Sequence, residues 1–307
     1  MNGVLVVDKP AGPTSHDVVA RVRRAIGVSR IGHTGTLDPL ATGVLALVVG
    51  RATRLASYLT AGEKEYEAAV RIGMATSTYD ADERIVRHPD TGGPLLMAQP
   101  PRAPAGLDAA AIESVLPDFT GTYLQTPPPF SAKKVSGVPA YKLARRNQPV
   151  EIQPAQVTVH RLTLLAYGDG VAHLRVVCSS GFYVRSLAHG LGERLGCGAY
   201  LEALRRTRAG DFEIDAALPL EEVERLGAEA GSHLVPMEAL LPLMPPVVVN
   251  EKGARRAAHG NALAPADLAM PAPAASSCVR VFDGDGSLLG IAEPAGGGLL
   301  HPVVVLV

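Results

Sequence analysis

Residues 4–7 and 44–49 are uninterrupted apolar runs, the pattern of strands buried on both faces. Between them, Thr14 and Ser15 precede Val18, Val19, Val22 and Ile26, whose spacing predicts a capped helix that Gly27 ends. Gly32, Gly35 and Pro39 mark the next stretch as a loop, and Leu55, Tyr58 and Leu59 predict a short helix. Tyr66, Ala68, Val70 and Ile72 alternate with Glu65, Glu67 and Arg71, which places the apolar set on one side of a strand. A helix is expected over residues 109–116. Further on, Leu174, Val176 and Cys178 alternate as a strand, and Val184, Leu187, Ala188, Leu191 and Leu195 recur at helical spacing.

Two stretches lack such patterning. Residues 87–107 are rich in Pro, Gly and Ala and read as a surface loop. Residues 124–152 contain Pro127-Pro128-Pro129 and Lys133-Lys134 without a periodic apolar face, and their length points to a functional loop rather than a passive connection. An acidic helix is expected at 221–230, and the Pro-rich 240–246 is the best linker. Beyond it, an apolar strand at 247–249, a helix at 254–258, a hairpin turning at Asp283-Gly284-Asp285-Gly286 and a terminal strand at 303–307 predict a small β-rich unit. Strands and helices alternate too irregularly for a doubly wound parallel sheet. The expected class is therefore α+β, a mixed or antiparallel central sheet flanked by helices, with domains at 1–243 and 244–307.

With 307 residues, 47% of them apolar and 19% charged, the chain has the composition of a globular protein of about two domains. The apolar runs are too short to span a membrane, and Asp8-Lys9-Pro10 cuts off the first before a signal core forms, so a cytoplasmic location is expected. Cys178, Cys197 and Cys278 form no Cys-x-x-Cys pair, and no metal site is expected. The net charge of −1 conceals a segregation that does change the picture. Residues 1–60 hold seven Lys and Arg against three Asp and Glu, and 131–161 hold six against one, whereas 213–250 hold one against seven. Two basic tracts of this kind suit a nucleic-acid partner.

Several chemistries lose their usual sequence support. The Asp283 turn resembles a calcium loop but has Pro294 at the twelfth position, where a carboxylate is required. There is no phosphate-binding loop, no dinucleotide fingerprint and no Gly-x-Ser-x-Gly elbow. What remains is the string from Gly32 to Leu45, Gly-His-Thr-Gly-Thr-Leu-Asp-Pro-Leu-Ala-Thr-Gly-Val-Leu, in which small residues surround Asp38. Taken alone, Asp38-Pro39 suits a helix start, with Asp as cap and Pro at the first position.

The whole string resembles the catalytic loop of the bacterial tRNA pseudouridine-55 synthases, the TruB family. Val7-Asp8-Lys9-Pro10, Lys64-Glu65-Tyr66, Thr76-Ser77-Thr78-Tyr79-Asp80, Pro128–Lys134, Cys178–Arg185 and Leu204-Arg205-Arg206-Thr207 are similar to further family motifs in order and spacing. Ser77 and Glu83 stand where the family pattern has Asp and Gly, and Arg146-Asn147 replace a Gly in the insertion. The resemblance implies a pseudouridine synthase-like fold, a small PUA-like RNA-binding unit at the end, and isomerisation of uridine 55 in the tRNA T-loop without a cofactor. It makes Asp38 the nucleophile, pairs it with Arg185, and gives Tyr66 both a stacking and a proton-relay role. Tyr183 and Leu204 would complete the pocket for a flipped base, and His33 would enter the RNA loop in its place. Substrate contacts are also expected from Lys9, Asp80 and Lys133, and phosphate contacts from Arg21, Arg23, Arg24, Arg30, Lys134, Lys142, Arg145 and Arg146. A monomer needing no protein partner is expected. A guide-RNA-dependent synthase and a tRNA-folding chaperone are the alternatives.

Overall fold

Strands that are apolar throughout need cover on both sides, and the central strands obtain it. The computed structural model describes residues 1–81, 103–131, 133–135, 138–139, 152–270 and 278–307. Its main sheet has ten strands: β1 (Gly3–Lys9), β2 (Ile31–His33), β3 (Thr42–Val49), β4 (Lys64–Ile72) and β5 (Gly121–Gln125), then, after a small hairpin of β6 (Lys134–Val135) and β7 (Val138–Pro139), β8 (Ala155–Gly168), β9 (Val171–Cys178), β10 (Ala199–Ala209), β11 (Phe212–Glu213) and β12 (Leu218–Pro219). The spatial order is β12-β1-β3-β10-β4-β9-β8-β5, with β2 beside β3 and β11 beside β10. The β1–β12 and β3–β10 pairs are parallel and the others antiparallel, so the sheet is mixed, as the sequence implied. β3 and β10 pair at just two positions, Thr42 with Arg205 and Gly43 with Arg206, at the centre of the sheet.

One face carries Leu5, Val7, Leu45, Leu47 and Val49 with Tyr66, Ala68, Val70 and Ile72 of β4. Helices α1 (Ser15–Ile26), α2 (Ala56–Thr60), α3 (Ala109–Val115), α4 (Val184–Arg194) and α5 (Leu220–Leu226) follow the strands, and α1, α3, α4 and α5 supply side chains to this core. α1 buries Val18, Val19, Val22 and Ile26 and is closed by a Thr14–Asp17 capping box and by Gly27 in the left-handed region. The opposite face, with Val4, Val6, Val44, Ala46 and Val48, packs against Leu55, Leu59 and the C-terminal residues Leu288, Ile291 and Leu306. Leu288 and Ile291 belong to a second sheet of β13 (Pro246–Val248), β14 (Val279–Phe282), β15 (Leu288–Ala295) and β16 (Leu299–Val305), accompanied by α6 (Glu251–Ala258), and Leu306 directly follows β16.

Some elements differ from the sequence reading. The helix expected at 221–230 is α5 followed by a 3-10 segment over Gly227–His233. The loop expected at Gly35 and Pro39 is present, although β2 takes in Gly32, and within it Asp38–Ala41 is a turn closed by the Ala41 N–H on the Asp38 carbonyl at 3.1 Å, with Pro39 in the position that its fixed φ suits. Of the irregular stretches, residues 82–102, 132, 136–137 and 140–151 lie outside the described residues, and with them Glu83, Lys142, Arg145, Arg146 and Asn147.

Candidate active site

The loop from Thr34 to Ala41 has no secondary structure, so its backbone groups need other partners. Thr34 donates to the Ala46 carbonyl of β3 at 3.1 Å. The buried Ser15 hydroxyl accepts from Leu37 N–H at 2.8 Å and donates to the Leu37 carbonyl at 3.0 Å. The Pro39 carbonyl takes Gly12 N–H at 2.8 Å, and Lys9 Nζ donates to the carbonyls of Ala41, Pro10 and Pro39 at 2.6, 2.9 and 3.3 Å. Arg206 Nη2 holds the Gly35 carbonyl at 3.0 Å. Gly43 follows at φ +98, where an added Cβ would sit 2.2 Å from the Arg206 carbonyl oxygen; the loop re-enters β3 there because that residue has no side chain. Every fixed point in this scheme lies within a few residues of Asp38.

Asp38 is one-third exposed, and its carboxylate meets Arg185 at two points. Nη2 donates to Oδ1 at 3.1 Å, and Nε lies 2.9 Å from Oδ2 as an ion-pair contact without hydrogen-bond alignment. Arg185 is 5% exposed and sits in the first turn of α4. Its other edge reaches Asp80 Oδ2 at 3.3 Å and the carbonyls of Thr78 and Phe130. Asp80 is itself fixed by the Thr78 hydroxyl at 2.7 Å. The turn that presents both residues depends on Tyr79 at φ 64, a left-handed conformation costly for a large side chain; the ring stacks on His189 at 3.8 Å.

These elements enclose a cavity of about 310 Å3 lined by Asp38, Tyr66, Tyr183, Arg185, Leu204 and Arg206, together with Lys64. The volume is at the lower end of small-molecule sites. Tyr66 is buried and directly opposite Arg206 across the β4–β10 ladder, so both side chains lie on the same face. Burial pushes the Tyr66 phenol up, while the Arg206 guanidinium beside it pulls the other way. Tyr183 precedes α4; its N–H donates to Gln125 Oε1 at 2.8 Å and its carbonyl accepts from Gln125 Nε2 at 3.1 Å, a clip from the end of β5. Lys64 Nζ is held by the carbonyls of Thr60 and Gly62, and desolvation lowers its pKa to about 8. A wider depression of about 590 Å3 between Leu116 and Leu164 has Glu113 as its single ionisable lining residue.

The residues expected at the substrate separate into two groups. Asp38, Tyr66, Tyr183, Arg185 and Leu204 meet in the cavity. Lys9 and Asp80 lie behind it, fully buried or nearly so, where they brace the loop and Arg185 rather than face a ligand. His33 packs edge-on against His16 at 5.3 Å outside the cavity lining, and burial, His16 and Arg206 all lower its pKa. Lys133 Nζ donates to the Gln153 carbonyl at 3.2 Å and does not line the cavity. Among the expected phosphate ligands, Arg21 is engaged bidentately by Glu224 and Arg23 by the Ile31 carbonyl, whereas Arg24 and Arg30 are exposed and without an ion pair among the described residues. Arg206 and Lys64 also line the cavity, although their motifs alone imply no role for either. The available signal was period-two placement: Lys64 falls two residues before Tyr66, and Arg206 two after Leu204.

The profile of the TruB family pseudouridylate synthase N-terminal domain matches residues 23–184, more than half of the chain. The chain belongs to the TruB family. Two further TruB profiles, both C-terminal, match residues 185–242 and 245–306. The tRNA pseudouridine synthase B of Solibacter usitatus is 46% identical over 100% of both chains, and that of Thermobifida fusca is 43% identical over 99% of this chain and 98% of its own. Among solved structures, an H/ACA RNP bound to a substrate RNA containing 2'-deoxyuridine includes a chain of TM-score 0.72 and 23% identity, covering 99% of this chain and 85% of its own. A chain from a Cbf5-Nop10-Gar1 complex matches at TM-score 0.73 and 24% identity over the same shares. These two establish the likeness of fold. As a TruB-family pseudouridine synthase, the protein is an isomerase.

Proposed function

We propose that this TruB-family enzyme converts uridine 55 in the T-loop of tRNA to pseudouridine, with Asp38 as nucleophile and without a guide RNA. The observation that carries the reading is the Asp38 carboxylate held at two points by Arg185 in a cavity walled by Tyr66, Tyr183 and Leu204. The tRNA substrate is supported by the relatives named tRNA pseudouridine synthase B, which are similar over their full length.

The reaction breaks the N1–C1′ bond, turns the base and joins C5 to C1′; C5 loses a proton and N1 gains one, so composition is unchanged. A carboxylate has to be ionised to act as nucleophile, and a guanidinium at 2.9–3.1 Å stabilises that form. Reaching the base requires its extrusion from the RNA stack, at a cost of a few kcal/mol. Stacking on Tyr66 and Tyr183 would return about 1–3 kcal/mol per base, and Leu204 closes the apolar side. Tyr66, whose phenol is pushed up by burial, would relay the C5 proton. His33, with its imidazole pKa depressed, is suited to enter the RNA loop as a neutral ring. Residues 244–307 are assigned to a PUA-like RNA-contacting unit, supported by the C-terminal family profile over 245–306.

A tRNA transcript incubated with the enzyme alone, then mapped by carbodiimide modification and primer extension, tests this reading. Pseudouridine at position 55 and nowhere else is expected. Modification at another position, or none until a guide RNA is added, would overturn it.

A further inference from the structure

Cations outnumber carboxylates around the cavity. Both Asp38 and Asp80 pair with Arg185, whose Nη1 and Nη2 also donate to the carbonyls of Thr78 and Phe130. Arg206, only 2% exposed, has no carboxylate partner among the described residues. Its Nε donates to the Val44 carbonyl at 2.7 Å and Nη2 to the Gly35 carbonyl at 3.0 Å, and the guanidinium also hydrogen-bonds the Tyr66 phenol, so three of its five N–H groups are engaged. Arg206 lines the cavity beside Tyr66. Gly35 leaves it open: Nη1 lies 3.4 Å from the point where a Cβ would stand. The charge is felt throughout the site, since Arg206 contributes to the lowered pKa values of Lys9, Lys64 and His33. A guanidinium so buried, held rigidly by carbonyls and lacking an acid, is costly to keep unless a negative charge arrives. RNA phosphates, which stay on the exterior of the hairpin, are poor candidates for that charge in a cavity sized for a base.

The reaction supplies one. Resting on the pseudouridylation reading above, we propose that Arg206 is a further catalytic residue: its buried guanidinium, with N–H groups still to spare beside Tyr66, stabilises the negative charge that the uracil ring carries once the N1–C1′ bond has broken. Written for attack at C1′, an Asp38 oxygen bonds to C1′ while the pair of the N1–C1′ bond stays on N1, giving a uracil anion delocalised over its ring nitrogens and carbonyl oxygens. C5 then returns a pair to C1′, displacing Asp38, after which C5 loses its proton and N1 takes one up. For attack at C6 the Asp38 pair enters the ring first, giving an enolate over C5, C4 and O4 before the N1–C1′ pair is added to it, so negative charge on the base again has to be met. Neither Arg185 nor Lys64 is placed for this role: the first is engaged by Asp38 and Asp80, and the second by the carbonyls of Thr60 and Gly62. A positioned donor at a site of developing charge contributes about 100- to 1,000-fold in rate.

The test is single-turnover conversion of a T-arm hairpin by wild type, Arg206→Lys, Arg206→Gln and Arg206→Ala, the last with and without guanidinium ion, with hairpin Kd and thermal midpoint measured in parallel. Conversion by wild type shows that the function itself stands. The inference then expects Arg206→Gln to fall about 100-fold or more with Kd within about threefold of wild type. It also expects Arg206→Lys to keep most of the rate, and guanidinium to restore part of the activity of Arg206→Ala without shifting its thermal midpoint. Arg206→Gln turning over at the wild-type rate would overturn it. So would Lys and Gln variants that fall equally, in step with their thermal midpoints and without rescue, because that is the signature of a purely structural clamp. Failure of wild type itself would instead count against the function.

Discussion

Ser15 and Leu37, twenty-two residues apart, exchange two hydrogen bonds through one buried hydroxyl, at 2.8 and 3.0 Å. The first residue of α1 thereby fixes the residue before Asp38. Ser15→Ala would leave a buried N–H and carbonyl unpaired, at about 1–3 kcal/mol of stability. Because a small displacement of a reacting group is costly, the single-turnover rate should also fall by about 10- to 100-fold while hairpin affinity holds. Chemical denaturation and rapid-quench assays of this variant check both figures; unchanged turnover would show that the clip does not position Asp38.

Arg185 connects Asp38 to Asp80 through different edges of one guanidinium. An ammonium is a point charge without that fork. Arg185→Lys should therefore lower the single-turnover rate by about 100-fold even though charge is conserved. Hairpin binding, measured by filter retention, should change little.

Lys9 responds to pH in two opposed ways. Desolvation lowers its pKa from 10.5 to about 8, Asp38 raising it and Arg206 lowering it further. Below about 8 the ammonium braces the loop through three carbonyls, and above it one donor is lost. The single-turnover rate should thus decline as pH rises through about 8, and Arg at this position should move the decline upward. Stability runs the other way. The folded state binds fewer protons than the unfolded one between about 8 and 10.5, so this group's unfavourable contribution is full below that window and is relieved through it. The stability difference between wild type and Lys9→Met, followed by urea unfolding, should accordingly shift in favour of wild type from pH 7.5 to pH 10.5.

The parts legible in the sequence are those where a single physical requirement dominates. β1 and β3 are buried on both faces and read as apolar runs; β4 is buried on one and alternates; α1 carries both caps and its stripe. β8 and β10 were not read as strands, because bulges interrupt their period, between Val159 and Arg161 and between Leu164 and Ala166 in β8, and between Leu201 and Ala203 and between Arg206 and Arg208 in β10. At the site, motif resemblance brought together Asp38, Tyr66, Tyr183, Arg185 and Leu204, but it did not distinguish residues that face the cavity from Lys9 and Asp80, which support it from behind. That distinction depends on burial, which motif spacing does not encode.

The exposed cations predict salt-sensitive binding. Arg24 and Arg30 remain available for phosphate contact, while Arg21 is neutralised by Glu224. The logarithm of hairpin affinity should fall with the logarithm of salt concentration by about 0.7–0.9 per phosphate neutralised. Arg24→Gln and Arg30→Gln should each reduce that slope by about one, and Arg21→Gln should not; titrations at several ionic strengths distinguish them.

The most direct measurement is tritium release from a T-arm hairpin labelled at C5 of the target uridine, comparing wild type with Asp38→Asn and adding no guide RNA. Release by wild type, none by Asp38→Asn, and equal hairpin affinity for the two is the predicted result. Release by Asp38→Asn at the wild-type rate, or none by wild type despite tight binding, would contradict the account.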